Sequence, residues 1–287
     1  MTRPEADPLR LLLIQAFSVP DGVDYSLRKP GATRETSVMN YPLIAPLLAE
    51  VEWQVHPGPV STHGGSLVET REEFLAIAAA RVPVVREACE SGAWDAIVLL
   101  GGGDPGYPQA CEVGQRFGIP VTACANAQMH VAAMLGTRFS VLDVSEAHSV
   151  HYRELVRAYG FVDRCASLRN LDAPLPRGDH PGTRLSDEKA AVEAGGTSWL
   201  LDAAMDEAEA AIEQDGAEVL ILGCSALYWL QPHLRSGLEQ RGWEIPVLEG
   251  YSCAIEQARM KARLGLTVSG LAYPRAPATR PRRMKRP

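Results

Sequence analysis

The sequence of 287 residues lacks any apolar run close to the roughly 20 residues that a membrane-spanning helix needs. Its first apolar stretch, residues 9–17, is too short and has no cleavage-site pattern, so it predicts a strand and not a signal peptide. Hydrophobic residues make up 46% and charged residues 22%, which excludes disorder, collagen and coiled coil as descriptions of the whole chain. We expect a cytoplasmic protein with no membrane partner.

The cysteines form neither a C-x-x-C pair nor a Cys/His cluster with the spacing of a zinc site. Six cysteines spread over this length do not resemble a disulfide scaffold either. We therefore expect free thiols, no metal site, and a role as small buried apolar groups for most of them. Four are expected to be inert because they fall on predicted helices or away from the predicted strand ends: Cys89, Cys111, Cys165 and Cys253.

Acidic residues outnumber basic residues, 35 to 28, and the formal net charge is −7. This balance argues against a nucleic-acid partner for the body of the protein. Segment 275–287 differs, because it contains six basic residues, three prolines and no acid. Its composition predicts a disordered basic tail, either without a binding role or with weak affinity for a polyanion.

Strand-length apolar runs alternate with helix-length segments along the chain. Several runs are continuously apolar, as a sheet covered on both faces requires. The pattern predicts an α/β fold with parallel sheets flanked by helices. The predicted strands are 10–16, 51–56, 95–101, 119–124, 138–144, 218–223 and 245–249, and the predicted helices are 72–91, 146–159, 200–214, 227–238 and 252–264.

A weak internal repeat relates the two halves of the sequence. Residues 95–101 (DAIVLLG) resemble 218–224 (EVLILGC), and the triplet IPV occurs at both 119–121 and 245–247. Two copies of one α/β lobe would explain these matches, although convergent strand composition would explain the first.

The repeat predicts two pseudo-symmetric lobes with the functional site in the cleft between them. We place the first lobe at 1–137, with 250–274 returning to it, and the second at 138–249. Within the second lobe, the stretch 171–198 is rich in proline, glycine and charge and is predicted to be a surface excursion.

Ligands of open parallel sheets bind beyond the carboxyl ends of the strands, so residues there are candidates for substrate binding. Glycines at 101–103 permit close approach of an anion, or form a sharp turn without a ligand. Asp143 either caps the following helix or meets substrate, and His148 and His151 are either packed side chains or part of the site. The candidates are Gln15, Ser18, Gly101, Gly102, Gly103, Asn126, Asp143, Ser145, His148 and Ser225, with Cys124 as a secondary one.

Cys224 is the candidate catalytic residue. It follows a predicted buried strand and precedes the predicted helix 227–238, whose amino end would favour a thiolate. A small buried cysteine at a tight turn is the alternative. If the lobes face each other, Gly101 and Cys224 occupy equivalent positions on opposite sides of the cleft.

The sequence resembles the aspartate/glutamate racemase superfamily, and most of all its hydantoin racemase branch. The resemblance implies two α/β lobes, no cofactor, and a small-molecule substrate that is a carboxylate or a cyclic imide or ureide. It also implies one cysteine per lobe, of which Cys224 matches the second and Gly101 stands in place of the first. The residues that carry it are 103–106 (GDPG), 119–121 (IPV), 136–141 (GTRFSV), 159–160 (YG), 164–167 (RCAS), 216–219 (GAEV), 222–224 (LGC), 245–247 (IPV) and 264–266 (LGL).

Two departures from the family pattern bear on the chemistry. Asn126 stands where hydantoin racemases usually carry Glu, so their substrate is not transferred to this chain. Glycine at 101 cannot exchange a proton, so racemisation by two bases needs another group, for which Asp143 or a histidine is a candidate. Arylmalonate decarboxylases of the superfamily share the glycine and cysteine layout, and there the lone cysteine protonates an enediolate.

The resemblance therefore implies a cofactor-independent enzyme that forms an enolate or carbanion next to a carbonyl. Cys224 is its expected acid/base, and the glycines at 101–103 with Ser225 form an anion pocket. Decarboxylase, tautomerase and isomerase chemistry are the leading hypotheses. The alternatives are a hydantoin or amino-acid racemase with a non-cysteine second base, and a binding protein without turnover. Homo-oligomerisation is left open.

Overall fold

A computed structural model of the protein describes residues 8–18, 33–61, 68–176 and 182–274. Within these ranges the chain forms two four-stranded sheets, in which neighbouring strands are parallel and helices pack around them. The predicted α/β fold class is confirmed. None of the helices in these ranges combines the length and apolar character that a bilayer crossing requires. Segment 275–287, for which a disordered tail is predicted, lies outside the described residues.

The first sheet has the strand order β2-β1-β3-β4. Its inner strands are the continuous apolar runs of the sequence, and all four residues of β3 are buried. Leu11 of β1 is level with Trp53 of β2 on one side and with Ala96 of β3 on the other. The strands are β1 (Arg10–Ile14), β2 (Glu52–His56), β3 (Ala96–Leu99) and β4 (Val121–Ala123).

The second sheet repeats this arrangement with the order β6-β5-β7-β8. Two copies of one α/β lobe would give the same strand order in both sheets. We call the first sheet with the helices packed on it the first lobe, and the second sheet with its helices the second lobe. The sequence does not predict β6, because this edge strand is half-buried throughout and mixes polar with apolar residues. The strands are β5 (Phe139–Asp143), β6 (Cys165–Asn170), β7 (Val219–Leu222) and β8 (Val247–Leu248).

The helices follow the strands in alternation. Four of the five predicted helices correspond closely to α2, α5, α7 and α9, whereas the predicted helix 227–238 is divided into a 3-10 helix and α8. Pro232 in the first turn of α8 explains this division, because proline has no N–H and starts helices. The helices are α1 (Tyr41–Leu48), α2 (Arg71–Glu90), α3 (Tyr107–Phe117), α4 (Cys124–Leu135), α5 (Glu146–Ala158), α6 (Leu185–Glu193), α7 (Trp199–Glu213), the 3-10 helix Ser225–Leu230, α8 (Gln231–Gln240) and α9 (Gly250–Arg263).

The stretch 171–198 is predicted to be a surface excursion, and within the described residues this holds for 186–197, none of which is buried, but not for 171–175. Leu171, Ala173 and Leu175 are buried in the main core, and α6 packs against the 3-10 helix through its buried Leu185. The three buried residues of the main core alternate with polar residues and prolines, so the average composition of the stretch does not indicate that they are buried.

Helix α4 joins the two sheets. It begins directly after β4 and packs against both α9 and β7. Gln128 on α4 is fully buried and donates hydrogen bonds to the carbonyl oxygens of Leu222, at 3.0 Å, and Leu248, at 3.2 Å. These bonds fix the carboxyl end of β7, and Cys224 is the second residue beyond it.

Candidate functional site

Cys224 lies in the turn between β7 and the 3-10 helix, with 8% of its surface exposed. Its carbonyl oxygen accepts a hydrogen bond from the Leu227 N–H at 2.9 Å, which begins the 3-10 helix. Its thiol accepts a hydrogen bond from the backbone N–H of Ala226. Gly101 holds the equivalent place in the first lobe, two residues beyond the end of β3, as the internal repeat predicts.

Burial raises the pKa of the Cys224 thiol to about 12, and the carboxylates of Asp143 and Glu69 contribute to the rise. The hydrogen bond from Ala226 N–H acts in the opposite direction but does not offset burial. The expectation that a helix end would favour the thiolate is therefore wrong. At neutral pH the thiol is protonated, and its resting form is a proton donor.

The raised pKa of Cys224 gives a measurable pH dependence. We expect its alkylation by iodoacetamide in the folded protein to accelerate roughly tenfold per pH unit between about pH 8 and 11, because the thiolate fraction grows over that whole interval. Peptide mapping by mass spectrometry would follow the Cys224 peptide alone. A rate that levels off above about pH 9, as for an ordinary exposed cysteine, would contradict the raised pKa.

The glycine turn after β3 lies directly against the turn that carries Cys224. A Cβ atom on Gly102 would overlap the Gly223 carbonyl oxygen and would lie 2.9 Å from the Cα of Cys224. Gly101 has a φ of +118°, which L side chains rarely adopt, and a Cβ there would lie 3.1 Å from the Cβ of Ala16. A side chain at position 101 would therefore strain the backbone, and one at position 102 would overlap a neighbouring turn.

Gly103 packs against an aromatic pair that joins the two lobes. A Cβ on Gly103 would overlap the ring of Phe74 from α2, and the Gly103 carbonyl oxygen accepts a 2.8 Å hydrogen bond from Nε2 of His151 on α5. The Phe74 and His151 rings stack with centroids 3.6 Å apart. His151 is thus a packed side chain that fixes the glycine turn.

Asp143 and His148 form a buried pair, and Asp143 lies beside the turn that carries Cys224. Asp143 is the last residue of β5 and is fully buried, and His148 lies in the first turn of α5 with 2% exposure. Nδ1 of His148 lies 2.8 and 2.9 Å from the two carboxylate oxygens of Asp143 and donates to them. The helix cap is Ser145, which accepts from the His148 N–H at 3.4 Å, so Asp143 does not cap α5.

Glu69 is a buried acid near Cys224 that the sequence does not identify. It precedes α2, and its backbone N–H and that of Thr70 both donate to Oε2 of Glu73 at 2.9 Å. Its Oε1 accepts from the Ser145 hydroxyl at 2.6 Å and from the Leu175 N–H at 3.3 Å. A carboxylate of the first lobe therefore contacts the second lobe at the start of α5. In the sequence, the one indication of Glu69 is its place directly before Thr70 and Glu73, which form the capping box of α2.

Ser225 is held from two sides. Its carbonyl oxygen accepts from Nδ2 of Asn40 at 3.0 Å, and its side chain is hydrogen-bonded to the Tyr251 hydroxyl. Asn40 has a φ of +59° and its Oδ1 accepts from Lys189 on α6 at 3.5 Å. Neither Asn40 nor Tyr251 is predicted from the sequence, although Tyr251 lies just beyond the carboxyl end of β8, where ligand residues are expected.

Three of the predicted residues have partners elsewhere among the described residues. Nε2 of Gln15 donates to the Ser37 carbonyl at 2.6 Å, and the backbone of Ser18 forms a parallel bridge with Val60. Asn126 lies in the first turn of α4, three residues beyond the end of β4, and its Oδ1 accepts from the Tyr107 hydroxyl at 3.1 Å. No hydrogen bond of the described residues connects these three with Cys224.

Asp104 explains why Asn126 is oriented in this way. Its carboxylate accepts from the N–H groups of Ala125 and Asn126, both at 2.8 Å, and so caps the amino end of α4. Burial raises the pKa of Asp104 to about 6, while these hydrogen bonds and one from Tyr159 oppose the rise. The Asp104 of the GDPG motif is thus a structural group.

The other cysteines are free thiols, as expected. Cys124 is fully buried as the first residue of α4, accepts from the Gly101 N–H, and has a pKa raised well above its usual value by burial. Burial likewise raises the pKa of each of Cys89, Cys111, Cys165 and Cys253. Across the described ranges, no three Cys, His, Asp or Glu side chains cluster as a metal ion would require.

Comparison with known proteins gives consistent results. The sequence model of the family described as Asp/Glu/hydantoin racemase matches residues 57–258. The hydantoin racemase of Pseudomonas sp. (strain NS671) is 28% identical over 200 residues, which cover 70% of each chain. That of Rhizobium meliloti is 29% identical over 187 residues, 64% of this chain and 68% of the relative.

Solved structures share the fold. Allantoin racemase from Klebsiella pneumoniae superposes with a TM-score of 0.66 at 23% identity, covering 95% of this chain and 96% of that chain. Unliganded arylmalonate decarboxylase superposes with a TM-score of 0.51 at 14% identity, covering 88% of this chain and 92% of that chain. At these identities the structural likeness establishes the arrangement of the two sheets.

Proposed function

The chain belongs to the Asp/Glu/hydantoin racemase family, and from this we propose that it transfers a proton at the carbon next to a carbonyl group of a small molecule, with Cys224 as its one cysteine acid/base. No cofactor takes part in this reaction. The substrate class that we favour is an uncharged cyclic ureide or imide, because the curated relatives are named hydantoin racemases.

The charge around Cys224 supports an uncharged substrate. Asp143 and Glu69 are both buried acids that act on the thiol, and the cationic partner of Asp143 among the described residues is His148, when protonated. A carboxylate substrate would add a further negative charge to this region, at a cost that low local polarity increases. Decarboxylation of a malonate is therefore less favoured than proton exchange on a hydantoin.

The observation that carries the proposal is the contrast between Cys224 and Gly101. Equivalent places in the two lobes hold a protonated thiol on one side and a glycine of left-handed φ on the other. Proton transfer by the thiol on one face of the substrate is the chemistry that this pair supports. Backbone N–H groups of Gly102 and Gly103, with the Ser225 hydroxyl, would stabilise the enolate oxygen.

Proton NMR in D2O tests this function. Each enantiomer of a set of 5-substituted hydantoins, with substituted malonates and acidic amino acids for comparison, would be incubated with the enzyme. We expect deuterium at the α-carbon of a hydantoin without loss of optical rotation, because one acid/base serves one face. Binding of the compounds without exchange or carbon dioxide release would instead support a binding protein.

Racemisation is the second candidate, and Glu69 is the observation that favours it. This first-lobe carboxylate is 3% exposed and is close enough to raise the pKa of Cys224. It can take the part of the missing first-lobe cysteine on the other face of the substrate. In racemisation, optical rotation would be lost at the rate of deuterium entry. Glu69→Gln would then lower the rate of loss of rotation by about 100-fold or more.

A further inference from the structure

We propose that Asn40 is a positioning residue of Cys224, because its side chain holds and polarises the peptide group whose N–H contacts the thiol. This inference rests on the proposed role of Cys224 and adds a supporting group from the other lobe. Asn40 precedes α1, between β1 and β2 of the first lobe, and is 185 residues away from Ser225 in the sequence.

The Asn40 side chain does not cap its own helix. Asn40 is the N-cap residue of α1, a place where the side-chain oxygen of asparagine commonly accepts from an N–H of the first turn. Here the side chain makes no such hydrogen bond. The residue is 6% exposed and has a φ of +59°, which is uncommon for residues other than glycine. A buried polar side chain turned away from its helix indicates a partner elsewhere.

That partner is the peptide group between Ser225 and Ala226. Nδ2 of Asn40 donates to the Ser225 carbonyl oxygen at 3.0 Å. The N–H of the same peptide group belongs to Ala226 and donates to the Cys224 thiol. Since a trans peptide group is planar and its C=O and N–H point in opposite directions, one plane joins Asn40 to the sulfur. Holding the carbonyl oxygen therefore also holds the donor that contacts Cys224.

A cation adds to the polarisation of these linked groups. Nζ of Lys189 on α6 donates to Oδ1 of Asn40 at 3.5 Å, and Glu193, one turn further along α6, lies 3.7 Å from the same nitrogen. A hydrogen bond to the oxygen of an amide makes its N–H groups stronger donors, so linked hydrogen bonds strengthen one another. The effect passes through the Asn40 amide and the peptide group to the thiol, where it favours the thiolate.

The charged groups around Cys224 act against the thiolate. Asp143 at the end of β5, paired with His148 of α5, and Glu69 before α2 both raise the pKa of the thiol, as burial does. The Tyr251 hydroxyl of α9 faces the same turn and is hydrogen-bonded to the residue after the cysteine. The backbone N–H described above lowers the pKa of Cys224, so the group that holds this N–H influences how readily the thiol loses its proton.

The alkylation rate of Cys224 tests this inference without a substrate. Asn40→Gly removes the side chain and keeps the left-handed φ, which glycine adopts freely, so we expect the fold to be retained. Iodoacetamide should alkylate Cys224 at pH 9 about fivefold more slowly than in the wild type, because a weaker donor raises the thiol pKa and lowers the thiolate fraction. kcat for deuterium exchange on a 5-substituted hydantoin should fall by about the same factor, with KM changed by less than about twofold.

A second variant and a matched control accompany this test. Asn40→Asp keeps the shape of the side chain and tolerates a left-handed φ but has no Nδ2 donor, so it should slow alkylation at least as much. It carries the test if the glycine variant does not fold. Asp172→Gly is the control, because Asp172 is an exposed residue of the second lobe with a φ of +49°. Its alkylation and exchange rates should stay within about twofold of the wild type.

The outcomes separate the role of Asn40 from the function on which it rests. Alkylation of Cys224 that is unchanged or faster in folded Asn40→Gly or Asn40→Asp overturns the role, because removing a side chain that only tightens the turn would expose the thiol. Equal slowing in Asp172→Gly overturns it as well. Slower alkylation in the folded Asn40 variants alone supports it. Exchange that survives in Cys224→Ala overturns the proposed function and leaves the alkylation result unaffected.

Discussion

Cys224→Ala is expected to lower deuterium exchange at the substrate α-carbon by about 1000-fold or more. The reason is that alanine removes the thiol that follows β7, and the equivalent position after β3 is Gly101, which cannot exchange a proton. The rate constant for exchange, measured by proton NMR on a 5-substituted hydantoin, is the readout. Substrate affinity should change little, because the thiol acts in the transition state.

Cys165→Ala provides the matched control for this variant. Cys165 is a half-buried free thiol in β6 of the same lobe, at the opposite edge of the sheet from β8. Its removal should leave exchange within about twofold of the wild type. If Cys224→Ala kept its activity while folding normally, Cys224 would be a structural residue, and a base such as His148 would have to act without it.

The strand-end rule predicts a candidate region from the sequence because it depends on backbone topology. Gly101 and Cys224 each follow an apolar run that is recognisable without a structure, and the identical strand order of the two sheets places them in equivalent positions. The same rule selected Asp143 correctly as a residue adjacent to the Cys224 turn.

The partners of these residues could not be predicted, because they depend on how the two lobes meet. Glu69 reaches Ser145 across 76 residues of sequence, and Asn40 reaches Ser225 across 185. Asn126 was predicted as a site residue, but its hydrogen bonds lie within the first lobe. Its N–H donates to Asp104, which caps α4, and its Oδ1 accepts from Tyr107. The sequence does not show that Cys224 is protonated, because it does not report burial. Burial raises the pKa of the thiol more than the hydrogen bond from the Ala226 N–H lowers it.

Gly102→Ala is expected to have the second large effect, on stability and activity together. The added methyl group would overlap the Gly223 carbonyl oxygen, which belongs to the backbone and cannot rotate away. The two turns must separate, which displaces Cys224 from the glycine turn that would bind the enolate oxygen. We expect the free energy of unfolding to fall by about 3 kcal/mol and exchange to fall by about 100-fold.

Gly270→Ala distinguishes this effect from the general cost of replacing glycine. Gly270 is exposed, has no left-handed φ, and its added Cβ would come no closer than 3.4 Å to the side chain of Gln115. Urea denaturation should show an unchanged midpoint for this control and a lower one for Gly102→Ala. If Gly102→Ala retained both the midpoint and the exchange rate, the two turns would not be in contact in solution. An open cleft of that kind would favour racemisation, in which a first-lobe group such as Glu69 has access to the other face of the substrate.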